Sequence, residues 1–219
     1  LGRKLPRVSE KTGVTLVRVM LFSSSFPRWK DDDVTGRFML DIAKELAVEH
    51  EVFVLAPRAK RSPTYEKIDG VEIFRHRQNL FGEGPAYGSG MLSNLKKPIN
   101  LIQLPLFFLF QLVALVRLVR LKRIDVINAH WLVPQGVIAI FGKVILKKNI
   151  KIVGTSHGTD MNGFTGRFGT FLKRKILAHL NGLVVVGPEL GKKASQLGYV
   201  GPVVVAPMGV HTSVFHPSK

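Results

Sequence analysis

The chain has 219 residues, 46% of them hydrophobic, and carries 32 Lys and Arg against 15 Asp and Glu, a formal net charge of +17. That length and apolar content suffice for a substantial core, which excludes a disordered chain, and the absence of cysteine excludes disulfides and thiolate chemistry. The charge calls for an anionic partner, namely a membrane surface, a nucleic acid or a phosphorylated substrate, without choosing among them.

In chain order, the opening "LGRKLPRVSEKTG" is polar and basic with no apolar h-region, so no signal peptide is expected and the cytoplasm is the default compartment. "LVRVMLFSS" reads as a buried strand running into a Ser/Pro loop. "GRFMLDIAKELAVEH" sets Phe38, Met39, Ile42 and Leu46 on one helical face. "EVFVLAP" and "VEIFRH" read as strands, and Gly82 to Gly90 as a loop. A long apolar helix is expected from Pro98 to Lys122, then the strand "DVINAH", a helix over "PQGVIAIFGKVILKK" with Pro134 in its first turn, and the strand "KIVGTSH". The alternation continues with a helix around "RFGTFLKRKILAHL", the strand "GLVVVG", a helix from Pro188 to Leu197 and the strand "PVVVAP". Near-continuous apolar strands separated by helices indicate an α/β fold, a doubly wound, mainly parallel sheet covered on both faces.

Ligands of such sheets bind beyond the carboxyl ends of the strands. Here those ends are Ser23 to Pro27, His130, His157, and Gly187 to Glu189. The loop after the first strand, with Arg28 and the stretch Asp31 to Gly36, should therefore flank the cleft. "SSSFPRWKDDDVTG" stands where a dinucleotide site would carry G-x-G-x-x-G, which argues against an NAD(P)-dependent oxidoreductase.

"VRVMLFSSSFPR", "GRFMLDIAKELA", "DVINAHWLVPQG", "VGTSHGTD", "GLVVVGPEL" and "VVVAPMGVHTSVFHP", in this order and spacing, resemble the N-terminal domain of retaining glycosyltransferases with the GT-B fold, family 4. The resemblance implies a Rossmann-like, acceptor-side domain over residues 17–207, preceded by an extension over 1–16. Residues 208–219 would begin the crossing into a second domain that holds the nucleotide, so residues 1–219 alone are expected to lack activity. It also implies transfer of a sugar from a nucleotide-sugar, a co-substrate and not a resident cofactor, to a glycan or lipid-linked acceptor. Departures from the family pattern are Asp31, Asp32, Asp33 and Gly36 where relatives often have a Gly-Gly pair, Gly187 for a serine, and Met208 and His211 for asparagine and aspartate.

Under this resemblance His157 is the catalytic candidate, approaching the donor sugar with its imidazole and backbone carbonyl. Gly158 would admit the sugar close to the main chain. His130 with Trp131 lines the acceptor cleft or, equally, seals the sheet edge. Asp160 binds a sugar hydroxyl or caps a helix. Glu189 lies in the first turn of a helix and is a further binding candidate. Asp31 and Asp33 form an Asp-x-Asp pattern, but acidic residues before a helix are commonly solvated partners of its dipole, and no metal site is expected.

Asn100, Gln103, Pro105, Gln111 and Arg117 interrupt the long apolar helix, which is read as a core helix and not as a membrane span. Its basic end, Arg117, Arg120, Lys122 and Arg123, suits peripheral contact with anionic lipid. A noncatalytic basic domain for anionic lipid or nucleic acid is the alternative. No nucleic-acid motif is visible and the basic residues are scattered over several helices, so no nucleic acid is expected.

Overall fold

A computed structural model describes residues 7–8, 13, 15–32, 35–78, 98–163 and 165–209. Gly82 to Gly90, Asp33 and all of the crossing beyond Gly209 lie outside the described residues. Strands β1 (Arg7–Val8) and β2 (Thr15–Leu16) form a small antiparallel pair within the N-terminal extension.

The main sheet has eight strands in the order β10-β9-β8-β7-β3-β4-β6-β5. They are β3 (Arg18–Phe22), β4 (Glu51–Pro57), β5 (Tyr65–Ile68), β6 (Val71–His76), β7 (Val126–His130), β8 (Lys151–Ser156), β9 (Gly182–Val185) and β10 (Val203–Val205). β5 is antiparallel to β6, and every other neighbouring pair is parallel. β5 was not expected from the sequence. "YEKI" buries only Ile68 at an edge of the sheet, so it lacks the apolar run that marks a central strand. It turns into β6 through Asp69 and Gly70, at φ 46° and 85°.

The helices among the described residues are α1 (Arg37–Ala47), α2 (Pro98–Lys122), α3 (Val137–Leu146), α4 (Thr159–Asn162), α5 (Gly166–Ala178) and α6 (Pro188–Gln196). Alternate residues of the strands feed two cores. Met20, Phe22, Phe53, Leu55, Ile127, Ala129, Ile152, Leu183 and Val185 pack against α2, α3, α5 and α6. Val19, Leu21, Val52, Val54, Ala56 and Ile73 pack against α1. Helices thus lie on both faces, as expected, but unevenly. Among the described residues α1 alone packs on its side, and the same face of β7 to β10 leaves Val126, Val153 and Val184 half-buried and Val204 exposed.

Two local expectations change. The fully buried residues of α1 are Met39, Leu40 and Ala43, while Phe38, Ile42 and Leu46 form a partly buried row beside them. Pro134 is not in the first turn of α3. It sits in a preceding π-type turn, Leu132–Gly136, after a cis Val133–Pro134 bond, because Trp131 and Val133 hold non-helical angles. In α2, Leu115, Leu118 and Val119 belong to the core as expected and Phe107 is fully buried, although Gln103–Lys122 is long and apolar enough to cross a bilayer.

Candidate functional site

From β3 the chain proceeds outward to β4 and β6, then returns over α2 to lay β7 on the other flank of β3. The order reverses between β3 and β7, and in open α/β sheets the carboxyl end of that junction is the binding crevice. Ser23 ends β3: its hydroxyl donates to Ser25 O at 2.6 Å and accepts from Ser25 N at 3.0 Å. Gly36 opens α1 at φ 62°, a left-handed conformation that favours glycine. A Cβ there would stand 2.8 Å from Ser25 Oγ and 2.9 Å from Phe26 N. Gly36 is therefore a close-packing residue that docks α1 on the loop after β3.

Arg28 lies in the same loop, with its Nε donating to Asp32 Oδ2 at 2.7 Å and its guanidinium 4.6 Å from the Trp29 ring centroid. Burial opposes the charge on Asp32, but hydrogen bonds from the Arg28 side chain and backbone and from Thr35 N hold its carboxyl far below the usual range. Asp32 thus organises the loop as an anion. Among the described residues no cluster of His, Cys, Asp or Glu is arranged to hold a metal ion.

On the other flank of the crevice stand two histidines. His130 ends β7, and His157 follows β8, its parallel neighbour. Nδ1 of His130 lies 3.1 Å from Nε2 of His157, and the rings stack with centroids 5.3 Å apart. Trp131 lies against His157 at 4.5 Å and Phe38 of α1 meets it edge-on at 5.4 Å. Trp131 has φ 69°, strained for a residue with a side chain, and its N–H donates to Thr155 O at 2.8 Å. Backbone strain of this kind gathers at functional sites.

Burial, with the neighbouring His157 adding to it, lowers the His130 pKa to about 3. Burial also lowers that of His157, against a smaller opposing pull from Asp160. Both imidazoles are neutral near pH 7, so one nitrogen of the close pair donates and the other accepts. Nε2 of His130 is buried without a partner among the described residues. An orphaned acceptor is less costly than an orphaned N–H, which favours His130 Nδ1–H donating to His157 Nε2. His157 then carries its own proton on Nδ1, as a donor.

Asp160 is turned inward. Its Oδ2 accepts from Leu132 N at 2.7 Å and its Oδ1 from Ser156 Oγ at 2.8 Å, tying the turn after β7 to the end of β8. Gly158 has φ 100°, and the nearest atoms to a Cβ there would be Asn162 Nδ2 at 3.8 Å and Leu190 Cδ1 at 3.9 Å. Those are ordinary van der Waals distances, so its glycine character serves the backbone angle. Glu189 is exposed and paired with Lys192 at 2.9 Å, at the start of α6. The structure therefore gathers His130 and His157 with Trp131, with Gly158 and Asp160 beside them; Arg28 and Gly36 shape the opposite lip, and Glu189 is paired with Lys192.

Two contributors were not singled out from the sequence. Phe38 carried only a core signal. Lys173, within the basic run "FLKRK", is buried and donates to Met161 O and Gly163 O, both at 3.0 Å, which fixes the loop beyond His157. Burial, then the Lys193 charge, lowers its pKa.

The sequence profile described as Glycosyltransferase Family 4 matches residues 35–214. The chain belongs to that family. No curated protein sequence matches this family 4 chain. A solved structure named sucrose-phosphate synthase, from Thermosynechococcus elongatus, is similar with a TM-score of 0.60 and 12% identity, covering 90% of this chain and 92% of that one. The catalytic domain of starch synthase IV from Arabidopsis thaliana, bound to ADP and acarbose, gives a TM-score of 0.57 and 13% identity over 93% of this chain and 54% of that one. Anabaena HepE in complex with UDP and glucose gives 0.54 and 12% over 92% and 47%. At these identities the likeness is one of fold, and the family 4 chain spans about half the length of the latter two.

Proposed function

We propose that residues 17–207 are the acceptor-side domain of a glycosyltransferase that moves a sugar from a nucleotide-sugar to a glycan or lipid-linked acceptor with retention, and that residues 208–219 begin the crossing to a donor-holding domain. Family membership and the nucleotides named with two structural neighbours support the donor class. The observation that carries the reading is the neutral His130–His157 pair at the reversal of strand order, clasped by Phe38 and Trp131.

In same-face substitution the bond from the anomeric carbon to the phosphate oxygen breaks as the acceptor oxygen bonds to that carbon. The acceptor's proton passes to the departing phosphate oxygen. Such a step needs aligned donors more than a protein nucleophile. His157, neutral and held by His130, offers an N–H to a sugar hydroxyl. Arg28 and Gly36 act through the opposite lip, His130 and Asp160 as positioning groups, and Gly158 through its backbone angle. Glu189 is kept as an outer binding residue at the α6 end. No resident cofactor and no nucleic-acid partner form part of the proposal.

The protein is further proposed to work in the cytoplasm on an anionic membrane surface. Leu109, Val113 and Leu121 of α2 and Phe141, Val144 and Ile145 of α3 are exposed on helices that pack together on one side of the sheet. Arg117, Arg120 and Arg123 are exposed alongside, while Lys122 is bound to Glu72 at 2.6 Å. Exposed apolar side chains beside cations fit an interfacial surface.

The experiment is to incubate the full-length enzyme with UDP-glucose or ADP-glucose and candidate glycan and lipid-linked acceptors, and to read the product's anomeric configuration by NMR. A product with the donor's configuration supports the reading; an inverted product contradicts it.

A further inference from the structure

A second cavity of about 340 Å³ lies between α2 and β6, within the range of roughly 300–1,000 Å³ usual for small-molecule sites. Phe110, Val113, Ala114, Arg117 and Leu121 form its helical wall, one face at spacings of three and four, which runs roughly 16 Å along the axis. Leu55 and Phe74 form the sheet wall, sharing a face through the register Leu55↔Phe74. His76 lines the carboxyl-edge end, its Nε2 buried without a partner among the described residues. The opposite end opens at Leu121, which is 71% exposed.

The charges lining this groove are cationic, and the neighbouring Glu72 carboxylate is already paired with Lys122 at 2.6 Å. Among the described residues no acidic side chain lines it, whereas Arg75, Arg77 and Arg117 do. Arg75 is committed to Glu66 and to Pro27 O. Arg117 is exposed and has no partner among the described residues, part-way along an otherwise apolar wall. Burial lowers the His76 pKa to about 4, so its ring contributes no charge near pH 7. An apolar trough with an unpaired guanidinium on its rim complements a hydrocarbon chain that carries a phosphate.

We propose that the groove between α2 and β6 binds one hydrocarbon chain of an anionic phospholipid, whose phosphate pairs with Arg117. The groove is not the sugar-transfer site. Phe74 and His76 face α2, whereas His157 packs on Phe38 of α1, and four strand spacings, roughly 19 Å, separate β6 from β8. Lipid held here anchors the domain beside the exposed Leu109 of α2. The inference rests on the membrane reading above only for the source of the lipid.

The test is calorimetric titration of the protein with dodecyl phosphate below its micelle-forming concentration, with dodecanol and inorganic phosphate as separate arms. Dodecyl phosphate should bind saturably, dodecanol more weakly, and inorganic phosphate not at all. Ala114→Phe, which fills the trough, should weaken dodecyl phosphate binding by at least about tenfold, and Arg117→Gln should abolish its advantage over dodecanol. Leu121→Gln, at an exposed position that folding tolerates, should also weaken binding and serves if Ala114→Phe does not fold. Absence of saturable binding, equal competition by inorganic phosphate alone, or unchanged affinity in a folded filling variant would overturn the proposal. The probe needs no bilayer, so its result is independent of vesicle binding and of sugar transfer.

Discussion

His130 Nδ1 and His157 Nε2, from the ends of adjacent parallel strands, are 3.1 Å apart in a pair that burial keeps neutral. The buried member sets the tautomer and ring plane of the half-exposed one. His130→Phe keeps the ring stacking but removes the hydrogen bond, and should lower kcat by roughly tenfold to a hundredfold with little change in donor KM. His130→Asn, which retains a donor, should recover part of that loss. Equal kcat in all three enzymes would show that the pair does not position His157.

The same burial makes stability depend on pH. The folded-state pKa values of His76 and His130 lie at about 4 and about 3, below the unfolded value of 6.5. Above pH 6.5 both states are neutral and the histidines cost nothing. Below it the unfolded chain takes up protons that the folded chain refuses, so stability falls as pH drops from 6.5 toward 4, by up to about 1.4 kcal/mol per pH unit for each histidine. Denaturant titrations across that window should show the decline, and His76→Gln should flatten it. A wild-type stability that does not change between pH 6.5 and pH 4 would contradict neutral burial of these rings.

Asp160 joins two loops by accepting from Leu132 N and Ser156 Oγ. Asp160→Asn substitutes an NH₂ group for one acceptor and should cost about 1–3 kcal/mol of stability, with a lower kcat as the His157 loop loosens. Chemical denaturation and turnover on the same preparation measure both. A variant of wild-type stability would remove the tethering role.

The arrangement of strands and helices was legible because most of the main strands are apolar-rich stretches closed by Ser, His, Gly or Pro at or just after their ends, and buried parallel strands need that pattern. β5 was not, since an edge strand that buries one residue carries almost no pattern. His157 was marked by its place at a strand end and by its resemblance to the family motif. That His130 touches it depends on which strand lies beside β8, a nonlocal fact that spacing does not encode. Lys173 was invisible for a related reason, because a buried lysine has the same local signature in "FLKRK" as its solvated neighbours. The inward turn of Asp160 likewise follows from the Trp131 backbone angle and the turn after β7, not from the letters around it.

The membrane proposal predicts salt-sensitive binding. Arg117, Arg120 and Arg123 are exposed, so replacing all three by Gln should reduce recovery with phosphatidylglycerol vesicles in a flotation assay, while neutral vesicles recover little of either protein. Each cation near an anionic surface contributes about 1 kcal/mol at low salt. Equal recovery with neutral and anionic vesicles would remove the electrostatic part of the account.

The most direct test of the central claim is turnover of His157→Ala in the full-length enzyme, measured with its melting transition and nucleotide affinity. His157 is half-buried and, among the described residues, hydrogen-bonded only to His130, and is proposed to act at the sugar. Sugar transfer should therefore fall by about 10²-fold or more while folding and nucleotide binding stay close to wild type. Near-normal turnover in a well-folded His157→Ala enzyme would contradict the account.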